Sequence, residues 1–110
     1  MTIPKYDITL RTNAEWTLVL SNISFSLANY TGKMQIRSIK NSSVLIELST
    51  SNNRITIDDT AKTITLTLAT AEIAAITEKK GIYDLILVKS GEGTAILEGG
   101  VTITSGVTEI

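Results

Sequence analysis

The sequence predicts a mainly β protein, a sandwich or barrel built from short strands. Thr, Ile and Val make up 38 of the 110 residues, and side chains branched at Cβ suit pleated strands better than helices. Apolar and polar residues alternate with a period of two in most segments. Turn-forming residues recur roughly every 8–12 positions, the spacing expected of an all-β sandwich or barrel.

Length and composition restrict the domain count and the function. A chain of 110 residues predicts one domain, 1–110, which can bury about two-thirds of its surface. Ten basic residues against eleven acidic ones disfavour nucleic acid and anionic membranes as partners. Cysteine and histidine are absent, so zinc, haem and the usual thiol or imidazole catalysis lack their ligands and bases. We therefore expect no cofactor, no metal and no enzyme activity.

The sequence also predicts where the chain is made. The sequence has no apolar run near the roughly 20 residues of a membrane span, and its first residues lack the basic-then-apolar order of a signal peptide. We expect the chain to be made and folded in a cytoplasm.

The first two strands are predicted at 6–11 and 15–20. In the second strand Trp16 shares one face with Leu18 and Leu20, which places the tryptophan in the core. A looser connector follows over 21–31, where apolar residues still alternate with serine, so a short extended piece is possible there.

A third strand is predicted over 32–39. Met34 and Ile36 fall on one face, and Lys33, Gln35 and Arg37 fall on the other. A turn is predicted at 40–43, and the strand at 44–49 is expected to return as the hairpin partner of the third strand. After a turn at 50–53, segments 54–58 and 62–68 alternate strictly and predict the clearest hairpin of the chain.

One segment, 70–81, breaks the β pattern. It is rich in alanine, with Thr70 as a plausible N-cap, two lysines at 79 and 80 for the last turn, and Gly81 as a stop. This pattern predicts one short helix near 70–79, with Ile73 and Ile76 on its buried stripe.

The last two strands are predicted at 81–90 and 94–106, joined by a tight turn at 91–93. The first is apolar on both faces, which is typical of a central strand covered on both sides. Gly99 and Gly100 inside the second predict a bulge or a close backbone approach. Segments 62–68 and 100–110 are rich in threonine and poor in charge, so we expect them to be pairing edges, and 105–110 to be an arm ordered by a neighbour.

Three groups of residues have side chains that could form a reactive site. The adjacent Asp58 and Asp59 could bind a cation, but a turn in which they accept backbone N–H groups fits better. Glu15, Glu47 and Glu98 could supply a glycosidase pair, yet nothing in the sequence brings two of them together. The glycines of 91–100 match no phosphate-loop spacing.

The polar face of the third strand is the candidate contact site. Lys33, Gln35 and Arg37 can together form a binding face for a protein edge or a glycan, and the same pattern also describes an ordinary solvated face.

Several motifs in collinear order resemble a family of small phage and prophage proteins encoded among tail genes. Tyr30-Thr31 leads into Met34-Gln35-Ile36-Arg37, and later strands carry further motifs: Leu45-Ile46-Glu47-Leu48, 54–58 with 63–66, Tyr83-Asp84-Leu85, and Leu97-Glu98-Gly99 followed by 101–103. The segments 12–14 and 21–28 depart from the family pattern and concern loops.

The resemblance has structural and functional implications. The family is similar to the N-terminal immunoglobulin-like module of phage baseplate upper proteins, so it implies an immunoglobulin-like antiparallel β-sandwich of about 7–8 strands. It also implies a virion protein without catalytic residues, an adaptor or connector of the tail, baseplate or fibre assembly. Its partners would be other virion proteins, with several copies in each particle.

Two alternatives stay open at this point. A capsid decoration or head-fibre protein would have the same composition. A carbohydrate-binding module, which belongs to another functional class, would need exposed aromatic side chains for sugar stacking, and the chain has one tryptophan and three tyrosines to offer.

Overall fold

The computed structural model describes residues 4–39 and 43–105. Eight strands and one short helix follow each other along the chain: β1 (Ile8–Arg11), β2 (Trp16–Leu20), β3 (Thr31–Arg37), β4 (Val44–Ser49), β5 (Ile55–Asp58), β6 (Thr63–Leu68), α1 (Thr70–Ala74), β7 (Lys80–Lys89) and β8 (Glu92–Thr104). The predicted turn at 40–43 falls mostly outside the described residues, as do positions 106–110 of the predicted arm.

The strands form two sheets that make a β-sandwich, as predicted. One sheet has five strands in the order β1-β8-β7-β3-β4, and the other has three in the order β2-β6-β5. This division is that of an immunoglobulin-like sandwich, in which the second, fifth and sixth strands oppose the third, seventh and eighth. The first strand differs from that scheme, because β1 lies beside β8 instead of beside β2.

The β1–β8 pair is the exception to the predicted antiparallel pairing. β1 runs parallel to β8, with Ile8 opposite Val101, while the pairs β2–β6, β3–β4, β3–β7, β5–β6 and β7–β8 are antiparallel. Parallel pairing is possible here because the two strands come from distant parts of the chain and need no tight turn.

The core lies between the sheets and follows the alternation of the sequence. Its members are apolar side chains with at most 8% exposure: Ile8, Leu10, Leu27, Met34, Ile36, Leu48, Ile55, Ile64, Leu66, Leu68, Ile73, Ile76, Tyr83, Leu85, Leu87, Leu97, Val101 and Ile103. Burial of this set supplies the main driving force of folding. Trp16 packs against the cluster with partial exposure, consistent with its predicted core position.

The helix is shorter than predicted. It ends at Ala74 and its N-cap is Ala69, whose N–H donates to the Glu72 carboxylate at 2.7 Å. The two lysines expected in its last turn belong elsewhere, because the Lys79 carbonyl accepts the Ile103 N–H at 2.8 Å and Lys80 begins β7. Pairing with β8 therefore competes successfully for residues that favour a helix in isolation. The described part of the chain contains no helix of the length and apolarity needed to span a membrane.

Three further expectations about strands are corrected. β7 is central as predicted, but its outer face is open, with Ile82 41% exposed. β6 and β8, expected as edges from their threonine content, both lie inside their sheets. The connector before β3 forms no strand; its Leu27 is buried and its N–H donates to Asp59 at 2.7 Å.

Candidate functional site

The outer face of the five-stranded sheet carries the residues that the sequence singled out. Alternation on β3 directs Met34 and Ile36 into the core, so Lys33, Gln35 and Arg37 share the opposite face. Neighbouring strands add three carboxylates to this surface, Glu47 from β4, Asp84 from β7 and Glu98 from β8. We call these six residues the polar face.

A chain of side-chain contacts joins the three β3 residues through β4. The Arg37 Nη2 donates to the Gln35 Oε1 at 2.8 Å, and the Gln35 Nε2 donates to the Glu47 Oε1 at 2.7 Å. Lys33 completes the set with an Nζ to Oε1 distance of 3.7 Å to Glu47. The hydrogen bond from Gln35, with the Lys33 charge beside it, lowers the pKa of the Glu47 carboxyl against the opposing effect of burial.

These contacts orient the polar side chains before any partner arrives. Gln35 uses both its donor and its acceptor end, so its amide has one satisfied orientation. A surface whose side chains are already oriented loses less conformational entropy on binding.

Two carboxylates face each other on the same rung of the sheet as Gln35 and Glu47. Asp84 is directly opposite Glu98 in the β7–β8 register, and Gln35 is opposite Asp84 on the other side. Like charges directly opposite each other on adjacent strands are destabilising. The sequence alone does not pair Glu98 with Asp84, because the β7–β8 register depends on a bulge that no local pattern reveals. The register skips Ile96, since Leu85 is opposite Leu97 whereas Ile86 is opposite Ala95.

A depression of about 820 Å³ opens beside this rung. Its lining includes the glycine pair Gly99 and Gly100 together with Lys5, Asp7 and Arg37. Because a glycine has no side chain, the chain segment of Tyr6 and Asp7 can lie directly against β8. The Asp7 Oδ1 accepts the Gly100 N–H at 2.9 Å. The predicted close approach at the glycine pair is therefore confirmed at Gly99, while the bulge of β8 lies at Ile96.

Tyr83, which also lines the depression, holds the N-terminal segment in place. Its O–H donates to the Tyr6 carbonyl at 2.5 Å, which joins the N-terminal segment to β7. Burial, followed by the nearby charge of Asp7 and then by Tyr6, raises the pKa of Tyr83 to about 12.

The carboxylates proposed as a glycosidase pair do not converge. Glu47 and Glu98 lie on the same rung but are separated by β3 and β7, a distance of roughly 14 Å at the usual strand spacing. Glycosidase carboxyls lie about 5–9.5 Å apart. Glu15 precedes β2 in the other sheet.

The adjacent aspartates behave as turn residues. The Asp58 Oδ1 accepts the Ala61 N–H at 3.0 Å, and the Asp59 Oδ1 accepts the Leu27 N–H and, at 2.6 Å, the Lys62 Nζ. The Lys62 hydrogen bond and then the Leu27 N–H lower the pKa of Asp59. Within residues 4–39 and 43–105 no group of three or more acidic side chains is placed to hold a metal ion.

The exposed aromatic side chains are Tyr6, whose N–H donates to the Glu98 carbonyl at 2.8 Å, and Phe25. Phe25, 41% exposed, meets Tyr30 edge-on with ring centroids 6.1 Å apart, and the Lys89 Nζ lies 5.4 Å from the Tyr30 centroid. An edge-on pair offers no flat stacking platform of the kind that sugar rings need.

Comparisons with known proteins add no relative. Neither the models of protein families nor the curated protein sequences match this chain. The resemblance to phage tail-associated proteins stays a prediction from the collinear motifs.

Proposed function

We propose that this chain is a phage virion structural protein, an adaptor or connector of the tail, baseplate or fibre assembly that acts by protein–protein contacts. The collinear motifs carry the proposal, because their order along the chain, more than any one motif, resembles the tail-associated family. The β-sandwich agrees with the module to which that family is similar. The proposal includes no catalytic residue and no cofactor.

The polar face supports a role in contact with other proteins. Arg37, Gln35 and Glu47 form an oriented chain of hydrogen bonds, and the acidic pair of Asp84 and Glu98 lies next to it. Cationic and anionic groups at fixed positions select a complementary surface and reject a mismatched one. We infer that this face sets the orientation of a partner in the particle.

The composition of intact particles tests the proposal most directly. Mass spectrometry of purified virions of the phage that encodes the chain should detect it in several copies, mainly in the tail fraction after heads and tails are separated. A replication protein from the same infection controls for carry-over. Absence of the chain from the particles would remove the virion assignment, and presence in heads alone would replace the connector by a capsid decoration protein.

Charge reversal tests the polar face itself. Arg37→Glu and Lys33→Glu should each reduce the number of copies per particle, whereas Lys79→Glu, a reversal at an exposed position outside this face, should leave it unchanged. The thermal midpoint of each purified variant checks that the fold survives. Equal incorporation of all three variants would show that the polar face is an ordinary solvated surface.

A further inference from the structure

The open edge of β2 has hydrogen-bonding groups directed away from the sheet. The Thr67 N–H donates to the Arg54 carbonyl at 2.9 Å, so the backbone groups of Thr67 and Thr65 point towards β5, and those of Leu66 and Leu68 point towards β2. Backbone direction alternates along an antiparallel strand. In β2, the residues opposite Leu66 and Leu68 therefore bond to β6, and Thr17 and Val19 direct their N–H and C=O groups outward.

The side chains of this edge are only partly covered. Trp16, Leu18 and Leu20 face the core but remain half-buried. Their register partners on β6, which are Leu68, Leu66 and Ile64, are 0% exposed. The difference arises because β6 has a strand on each side, whereas within the described residues β2 has a neighbour on one side only.

β2 is also the edge strand that carries no charge. The other three edges contain a charged residue, namely Arg11 in β1, Glu47 in β4 and Asp58 in β5, and β4 has an additional register shift that skips Leu45. Charges and bulges are the usual protection of an edge against pairing. The sequence of β2, Trp-Thr-Leu-Val-Leu, has neither protection.

The first strand does not cover this edge. β1 lies in the opposite sheet, and the Pro4 carbonyl accepts the Glu98 N–H at 3.2 Å. The described start of the chain therefore lies against β8 and leaves β2 open.

We propose that β2 pairs with β2 of a second copy of this chain, antiparallel and about a two-fold axis at Leu18. This register places Thr17 opposite Val19 of the second copy, and the reverse, so the four outward-directed N–H and C=O pairs form four hydrogen bonds. The two Leu18 side chains meet on the core side. The pairing joins two three-stranded sheets into one of six strands.

A second copy fits this edge better than an unrelated strand. An uncharged strand meets its own two-fold copy without opposing like charges, and its two half-buried apolar rows cover each other. Five-residue strands bury less than the roughly 1,200 Å² of a stable independent interface, so the isolated dimer is weak. Several copies held in one particle raise the local concentration and make a weak contact effective. Self-pairing depends on the proposed function only for this last point, the concentration of several copies in one particle.

A proline at position 19 tests the contribution of the intermolecular hydrogen bonds separately from that of the side chain. The Val19 N–H points outward, so Val19→Pro removes no bond to β6, and proline is tolerated on an edge strand. Val19→Ala is the matched control, because it also truncates the exposed side chain but keeps the N–H. By symmetry the proline removes two of the four hydrogen bonds, which should weaken association at least about tenfold. The alanine should change it by less than about threefold.

Analytical ultracentrifugation of the purified protein measures the effect. The mean mass of the unmodified chain should rise from 11.9 kDa towards twice that value between about 10 μM and about 1 mM, the range of a weak contact. Val19→Pro should stay monomeric over this range. A chain that remains monomeric throughout, or a dimer weakened equally by both substitutions, would overturn the proposal, and neither result would bear on the presence of the chain in virions.

Hydrogen exchange provides a reading that needs no variant. The amides of Thr17 and Val19 should become protected as the protein concentration rises, whereas the Leu18 amide, bonded within the sheet, should be protected at all concentrations. Protection of Thr17 and Val19 that appears only in the assembled particle, and never in the concentrated pure protein, would assign the edge to a different chain and overturn self-pairing.

Discussion

The two sheets of the sandwich present different chemistry to solvent. The five-stranded sheet has a charged and hydrogen-bonded outer face with a depression at its glycine pair. The outer face of the three-stranded sheet is mostly threonine, with Val19 and Asp58, and the Thr17 and Thr67 hydroxyls lie 3.3 Å apart on it. Its β2 edge is uncharged. The first surface can distinguish partners by side chains, and the second can join them by main-chain pairing. Under the two proposals made above, one sheet would select a neighbour and the other would attach to it.

The largest expected effect tests whether the edge of the three-stranded sheet is incompletely packed. Leu66→Ala removes a side chain with 0% exposure and should lower the free energy of unfolding by about 3–4 kcal/mol. Leu18→Ala, its half-buried register partner, should cost about 1–2 kcal/mol in dilute solution. Urea unfolding measures both. Equal costs would mean that β2 is packed as fully as β6, which would contradict the contrast between the strands.

The next effect concerns the attachment of the N-terminal segment to the five-stranded sheet. A Cβ on Gly99 would overlap the Tyr6 carbonyl group, whereas a Cβ on Gly100 would find its nearest atom at 3.4 Å. Gly99→Ala should therefore lower the free energy of unfolding by about 2–3 kcal/mol, as overpacking does elsewhere. Gly100→Ala, the neighbouring control, should change it by less than about 1 kcal/mol.

A smaller loss of stability is expected when the Tyr83 hydroxyl is removed. Tyr83→Phe removes the hydrogen bond to the Tyr6 carbonyl and should cost about 1 kcal/mol at neutral pH. Because the pKa of Tyr83 is raised to about 12 in the folded protein, the unfolded chain loses this proton first, near pH 10. The contribution of Tyr83 to the free energy of unfolding should therefore be fully present below pH 10 and be lost as the pH rises towards 12.

Two phenylalanine variants test whether Tyr83 causes this alkaline loss of stability, because Tyr83→Phe should abolish it. Tyr6→Phe keeps the backbone carbonyl that accepts the bond and should retain the alkaline decline. Denaturation curves measured between neutral and alkaline pH distinguish the two variants. An unchanged decline in Tyr83→Phe would assign it to another group.

The smallest expected effect on stability comes from Asp59, which links the β5–β6 turn to the connector before β3. The lowered pKa of Asp59 means that its contribution to stability is present above the unfolded value and is lost as the pH falls through the folded value. Asp59→Asn should flatten this acid dependence and speed exchange of the Leu27 amide. Asp58→Asn, which affects only the local bond to Ala61, should leave the Leu27 amide unchanged.

Local patterns predicted local structure well. The hairpin of β5 and β6, the pairing of β3 with β4, the turn at 50–53 and the burial of Ile73 all follow from alternation and turn chemistry within a few residues. Ile76 is buried as predicted but lies beyond the helix, which ends at Ala74. The same alternation placed Lys33, Gln35 and Arg37 on one face. Each of these inferences needs only the period of a single segment.

Arrangements that join distant segments could not be predicted in this way. Threonine content suggested that β6 and β8 were edges, but edge position depends on which strand lies alongside, and β8 acquires β1 from the far end of the chain. The opposition of Asp84 and Glu98 depends on a skipped residue in β8. The helix ended early because β8 recruits the residues after it. Sheet order and register are set by the whole core, and a single segment carries little information about them.

The pairing of β1 with β8 also has a consequence for biosynthesis. Ile8 leaves the ribosome long before Val101, its neighbour in the sheet, so the first strand has no place to settle until translation has almost finished. Closing so long a loop carries a high entropic cost, and topologies of this kind fold slowly. During that interval the newly made chain exposes apolar strands, and timely binding by a chaperone would favour correct folding over aggregation.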